Sequence, residues 1–170
     1  MPSPLLAAVL LLLGAERLAE LALHRRHSRW LAAHGARWHR PDGFGLLVAT
    51  QAVLLAGLVV EGGFAPWAGV GAWTWPLLAV ALLAQGLRYW AIGTLGPRWS
   101  VRVVTLPGAD RIVRGPYRFF PHPNYAAVMA ESLVLPLAFG AWATAIVLTP
   151  LTLLALVRRI RLEEAALSDA

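Results

Sequence analysis

Four apolar stretches in this chain are too long to be buried inside a soluble domain of its size. They run from Pro2 to Leu23, Phe44 to Val60, Trp73 to Leu95 and Tyr125 to Leu167. A helix needs about 20 apolar residues to cross some 30 Å of hydrocarbon. The first three stretches suit one crossing each, and the last, at about forty residues, suits two. Pro136 and Gly140 weaken helix within it, so the break is expected between Pro136 and Trp142. The two halves then form a tight hairpin of helices near Asn124–Phe139 and Ala141–Leu167. The chain reads as an all-α integral membrane protein with about five transmembrane helices, the last two a helical hairpin. Charged residues make up 14% of it and hydrophobic ones 58%, against about 25% charged in a soluble domain. At 170 residues it is expected to be a single domain, 1–170, with no room for a separate soluble unit. The first stretch has neither a basic segment before it nor a small-residue cleavage site after it. It is therefore expected to be a retained helix rather than a signal peptide.

The charges set an orientation. All 15 basic residues are arginine. Five lie in the polar connection His24–Gly43, five in the connection Gly96–Asn124 and three between Arg158 and Arg161. The glycine- and tryptophan-rich segment Glu61–Trp75 has none. The positive-inside rule then places the N-terminus outside and the C-terminus in the cytoplasm, in a membrane expected to be the bacterial inner membrane. It also explains the net charge of +6 without nucleic acid as a partner. Membrane lipids are the expected surroundings. The absence of cysteine excludes a disulfide framework, a thiolate zinc site and a thiol nucleophile, and no set of metal ligands stands out.

Every polar constellation falls on the arginine-rich side. The segment "GPYRFFPHPNYAAVMAE", Gly115–Glu131, leads into the hairpin. Each residue before a proline is pushed out of the helical region, so Arg118–His122 should be irregular. Pro123 suits the first helical turn, where its missing N–H costs nothing. Irregular backbone at membrane depth is tolerated only against protein or a cavity, which makes this segment a candidate pocket wall, with His122 and Tyr125 pointing inward. The plainer alternative is that Arg118 anchors the membrane face and His122 starts the helix. Glu131 lies about two turns into an apolar helix, where a carboxylate marks either a functional site or a partner for Arg88 or Arg17 that locks the bundle. Glu16, Glu20 and Arg88 pose the same choice. Glu163 and Glu164, taken alone, could be solvated charges pairing with Arg159 or Arg161.

In combination these segments resemble the isoprenylcysteine carboxyl methyltransferase family, part of a wider group of membrane methyltransferases that includes phospholipid methyltransferases. The family pattern is Arg-His-Pro-x-Tyr, a helical hairpin, and a Glu-Glu pair behind a basic residue. His122, Pro123 and Tyr125 match the first part, and Glu163 and Glu164 behind Arg159 and Arg161 match the last. The segments "LRYWAIGTLGPRWSVRVVTLPG" and "RIVRGPYRFFPHPNYAAVMAE" are similar to a bacterial branch encoded beside type III polyketide synthases and associated with O-methylation of alkylpyrones and lipidic phenols. The likeness is strongest over about 87–167. One departure is clear. Pro121 stands where the family has arginine, and Arg118, one turn earlier, is the natural substitute.

The resemblance implies S-adenosyl-L-methionine as methyl donor, S-adenosyl-L-homocysteine as product, and a cofactor pocket on the cytoplasmic side. Arg118, His122, Arg159, Glu163 and Glu164 would meet the donor's amino-acid end, and Pro123 and Tyr125 its adenine. A zwitterionic tail needs both an acceptor carboxylate and cationic or N–H donors. Glu131 as base and Arg88 as orienting cation are the candidates for acting on the acceptor oxygen. The acceptor would be a lipophilic or prenylated molecule entering sideways from the bilayer, either an isoprenylcysteine-like carboxylate or an alkylpyrone or phenol hydroxyl. Two other readings compete. One is a membrane reductase of the steroid-reductase type using NADPH, for which the cytoplasmic segments are short. The other is a non-catalytic membrane protein such as a transporter subunit, which would carry polar groups near mid-bilayer with access from both sides.

Overall fold

The computed structural model describes residues 3–168. Five α-helices follow in order: α1 Pro4–Ala33, α2 Phe44–Phe64, α3 Thr74–Leu95, α4 Pro123–Ala138 and α5 Trp142–Ser168. Three of them, α2, α3 and α5, are long and apolar enough to cross a membrane. The other two differ for separate reasons: α1 is interrupted by Glu16, Arg17 and Glu20, and α4 has only 16 residues. Large apolar side chains point away from the bundle, among them Leu11, Leu12, Leu82, Leu83, Ile146 and Leu154, each more than half exposed. An outer surface of that kind suits lipid, not water. The chain is an integral membrane protein.

The helix α4 sits at the centre, packed between α3 and α5, while α2 lies along α5 and α1 along the outside. The apolar core joins Leu6 and Leu13 of α1, Leu54 and Leu58 of α2, Val134, Leu135 and Ala138 of α4, and Leu148 of α5. The hairpin between α4 and α5 turns within one residue of its expected position. Pro136 frees the last turn of α4, and its carbonyl accepts the N–H of Phe139 and of Ala141. Gly140 turns the chain at φ +72°, with Ala68 Cα 3.2 Å from where a Cβ would stand, so glycine is required there twice over.

Two boundaries differ from the sequence expectation. The polar connection does not begin at His24, because α1 runs through "HRRHSRWLAA" to Ala33. That segment has no glycine or proline, and its Arg, Leu and Ala favour helix. The helix stops only before Gly35, at φ +73°. At 30 residues it is about 45 Å long, so its charged last third projects beyond a bilayer core of about 30 Å. Likewise α2 continues past Val60 to Phe64, which makes Glu61 helical rather than part of the loop. The gain is a cap. Glu61 Oε1 accepts the N–H of Ala143 at 2.8 Å, and Oε2 accepts the N–H and hydroxyl of Thr144, both at 2.7 Å. One helix end thereby satisfies the orphan donors of another.

The connection between α3 and α4 holds two 3-10 turns, Gly96–Arg98 and Gly115–Arg118. It also forms an antiparallel ladder that the sequence reading did not anticipate: β1, Arg37–Trp38, pairs with β2, Val104–Thr105. This ties the chain after α1 to the chain after α3, over the charged end of the bundle.

Glu61→Ala should lower the unfolding free energy of the detergent-solubilised protein by about 1–2 kcal/mol, as loss of a helix N-cap does elsewhere. Glu61→Gln, which keeps an acceptor, should lose less. Chemical denaturation midpoints of the three proteins check this.

Candidate active site

At the charged end of the bundle a cavity of about 720 Å³ reaches between the helices. Its wall is drawn from all five helices and from the connection before α4. Arg17, Glu20 and Arg88 stand at its inner end, and His122, Tyr125, Arg159 and Glu163 at the other. Between them, Leu21 of α1 and Leu47, Val48 and Leu55 of α2 give an apolar flank.

The outer group is organised by the start of α4. His122 occupies the cap position in a non-helical conformation, and Pro123 begins the helix, buried. The His122 ring stacks on Tyr125, with centroids 5.3 Å apart and planes at 13°. The Tyr125 hydroxyl donates to Glu163 and accepts from Arg159 Nε at 2.8 Å. Arg159 is buried, with its guanidinium carbon 5.8 Å from the Tyr125 ring centroid. Its two remaining nitrogens donate to the carbonyls of Asp42 at 3.2 Å and Val101 at 2.6 Å. One arginine of α5 thus fixes the connections before α2 and after α3. Asp42 is itself anchored, accepting from the Phe44 amide and from Arg102. Burial pushes the Asp42 carboxyl up, but those two partners outweigh it and hold it below the usual carboxylate range. Burial, with the nearby Glu163 charge, pushes the Tyr117 phenol above its ordinary value and keeps this cavity residue neutral.

His122 Nδ1 lies 3.9 Å from Glu163 and Nε2 3.6 Å from Glu164, both beyond hydrogen-bond reach. His122 Nε2 is buried without a hydrogen-bond partner. This end of the cavity therefore offers a carboxylate acceptor, a ring nitrogen in need of a partner and a stacked aromatic pair. That donor set fits the amino-acid end and the base of S-adenosylmethionine.

The inner group is a buried ion network. Glu131 of α4 is fully enclosed and accepts from Arg88 and Gln85 of α3, and from Arg17 of α1 at 3.2 Å. Arg17 also donates to Glu20 at 2.7 Å, and Arg88 donates to Glu20 at 3.1 Å. Gln85 bridges to Glu16 at 2.7 Å.

Of the residues the sequence singled out, His122, Pro123, Tyr125, Arg159 and Glu163 come together on the cavity wall. Glu164 is beside them but more than half exposed. Arg118 does not join them: it is exposed and lies over the Phe119 ring, 4.7 Å from its centroid. It closes a 3-10 turn, and its side chain lies toward Phe119 and away from the cavity wall. Arg98 and Arg111 line the cavity instead. Arg88 is on the wall, whereas Glu131 stands behind it with both oxygens engaged, so a substrate in the cavity meets Arg88 first. Glu20 is also on the wall without having been assigned a site role from sequence. The signal was present, since Glu16, Arg17 and Glu20 interrupt an apolar helix, but one helix alone does not say which of them faces inward. The carbonyls that hold Arg159 left no side-chain signal at all.

Residues 77–169 match the model of the isoprenylcysteine carboxyl methyltransferase (ICMT) family. "Uncharacterized protein YpbQ" of Bacillus subtilis is 30% identical over 165 residues, covering 97% of this chain and 96% of that one. An "Uncharacterized protein" of Haemophilus influenzae is 28% identical over 160 residues, covering 91% and 90%. No solved structure matches the chain.

Truncating Glu131 to Ala should cost about 3–5 kcal/mol, because it strands the buried Arg88 charge. Replacing both partners, Arg88→Met with Glu131→Leu, should cost less than the two single losses added together. A double-variant cycle of unfolding free energies in detergent measures that coupling.

Proposed function

Given that this chain belongs to the isoprenylcysteine carboxyl methyltransferase family, a family of membrane methyltransferases, we propose that it is an S-adenosylmethionine-dependent O-methyltransferase with a lipophilic acceptor. The observation that carries the proposal is the single cavity joining the His122–Tyr125–Glu163 group to the Arg88–Glu20 group. Two substrates have to meet in one enclosed space, and catalysis here is chiefly their positioning.

In this reading S-adenosylmethionine supplies a methyl group activated by its sulfonium. Glu163, oriented by Tyr125, receives the donor's ammonium. His122 Nε2, Arg98 and Arg111 are the N–H groups available for its carboxylate, taking the place of the arginine that Pro121 replaces. The stacked His122 and Tyr125 rings and Pro123 flank the adenine. Arg159 acts through the fold, holding Tyr125 and both connections in place. Arg88 orients the acceptor oxygen, and Glu131 holds Arg88. The apolar flank between α1 and α2 is the route by which an alkyl or prenyl tail reaches in from the bilayer. We place the N-terminus outside, the C-terminus and site in the cytoplasm, and all five helices across the membrane, with α1 and α4 crossing by packing their charged and short segments against the others.

The test is ligand-dependent thermal stability in detergent. Adenosylhomocysteine should raise Tm in proportion to the logarithm of its concentration above Kd. NADPH should not, and stabilisation by NADPH alone would sink the proposal. His122→Ala and Glu163→Ala should each weaken adenosylhomocysteine binding at least about tenfold, the loss expected for about 1.4 kcal/mol of charge-assisted contact.

A further inference from the structure

The inner end of the cavity carries more carboxylate than its guanidiniums neutralise. Glu16 and Glu20 of α1 and Glu131 of α4 face Arg17 of α1 and Arg88 of α3. Of the three carboxylates only Glu20 is on the cavity wall. Arg88 stands beside it, 3.1 Å from Nη1 to Glu20 Oε1, with its other terminal nitrogen committed to Glu131. Its Nε–H is buried and has no partner. Glu20, the carboxylate acceptor on the wall, thus stands beside an arginine with an unused, buried N–H donor. A hydroxyl satisfies both at once, giving its proton to one and accepting from the other. A carboxylate ligand has no proton to give, and it would add negative charge where negative charge is already in excess and screening is weak.

We propose that Glu20 is the catalytic residue that takes the proton from an acceptor hydroxyl, a phenol or enol borne on an alkyl chain, while Arg88 Nε–H holds the same oxygen. This rests on the methyltransferase reading above. The O–CH3 bond forms as the S–CH3 bond breaks and its electron pair stays on sulfur. The O–H bond breaks toward Glu20, leaving a methyl ether, a neutral thioether and a protonated carboxyl that later releases its proton to water. A carboxylate suffices although phenols are weak acids, because the O–H becomes strongly acidic as the methyl group arrives. The alkyl chain lies along Leu21, Leu47, Val48 and Leu55.

The test uses the full chain in detergent, saturated with adenosylhomocysteine, and a long-chain alkyl nitrophenol whose absorbance reports its ionisation. An ionised Glu20 favours the neutral phenol, so the bound probe should titrate at least about one pH unit lower in Glu20→Gln than in the parent. Glu20→Asp, which keeps the charge but withdraws it, should move the midpoint the same way by less. It decides the matter where Glu20→Gln does not fold. Indistinguishable midpoints, or no saturable binding of the probe to the parent, overturn the proposal. Adenosylhomocysteine binding is read separately by thermal shift. A parent that binds the probe but shows no such shift counts against the cofactor reading, and a parent that shows the shift with unmoved midpoints counts against Glu20 alone.

Discussion

Arg88 and Glu131 place opposite charges in contact where α3 meets α4, with neither side chain exposed beyond 1%. Removing either would leave the other a buried charge short of its closest partner. Arg17, Glu20 and Gln85 then complete the network from α1 and α3. The position of α1 depends on this. Its outer face is leucine open to lipid, and apolar contact alone would not distinguish one rotation of it from another in a membrane. The ion network selects the rotation that turns Glu20 into the cavity and leaves Leu18 outside.

Arg159 does for the charged end what Arg88 does for the interior. Among the described residues it binds no carboxylate directly. Its partners are a hydroxyl and two backbone carbonyls, Glu163 is reached through Tyr125, and the Asp42 carboxylate lies close enough to feel its charge. An arginine's fixed fork suits this bracing of several segments at once, which a lysine point charge could not reproduce. The motif residues on α4 and α5 therefore do two things. His122, Tyr125 and Glu163 line the cavity, while Arg159 ties down the loops that close the space around them.

Much of this was legible in the sequence. Apolar length located the helices, and Pro136 with Gly140 located the hairpin. The clustering of His122, Tyr125, Arg159 and Glu163 followed from the motif, because one turn at the start of α4 and one turn of α5 have to meet across a short hairpin. The rest was hidden for identifiable reasons. The extension of α1 to Ala33 was obscured because charge was read as loop, although arginine forms helix well. Arg118 was set in the site as the substitute for the arginine that Pro121 replaces, and an irregular segment does not tell from sequence which way its side chains point. Glu131 and Glu20 exchanged places relative to the cavity because one helix's sequence does not reveal which neighbour faces which of its sides. The β1–β2 ladder joins segments 66 residues apart and leaves no periodic signal in two residues per strand.

The antiparallel pairing of Arg37–Trp38 with Val104–Thr105, together with Arg159 on the Asp42 carbonyl, has a consequence for the chain as a unit of inheritance. The region matched by the family model begins at residue 77, so the motif and half of the cavity wall lie on different parts of the sequence. Asp42, Phe44, the apolar flank of α2 and Glu20 all precede the motif, yet they shape the same space. Two chains can therefore keep an identical second half while differing in the part of the wall that α1 and α2 supply. In the reading proposed above, likeness confined to the second half speaks to the methyl donor and little to what is methylated.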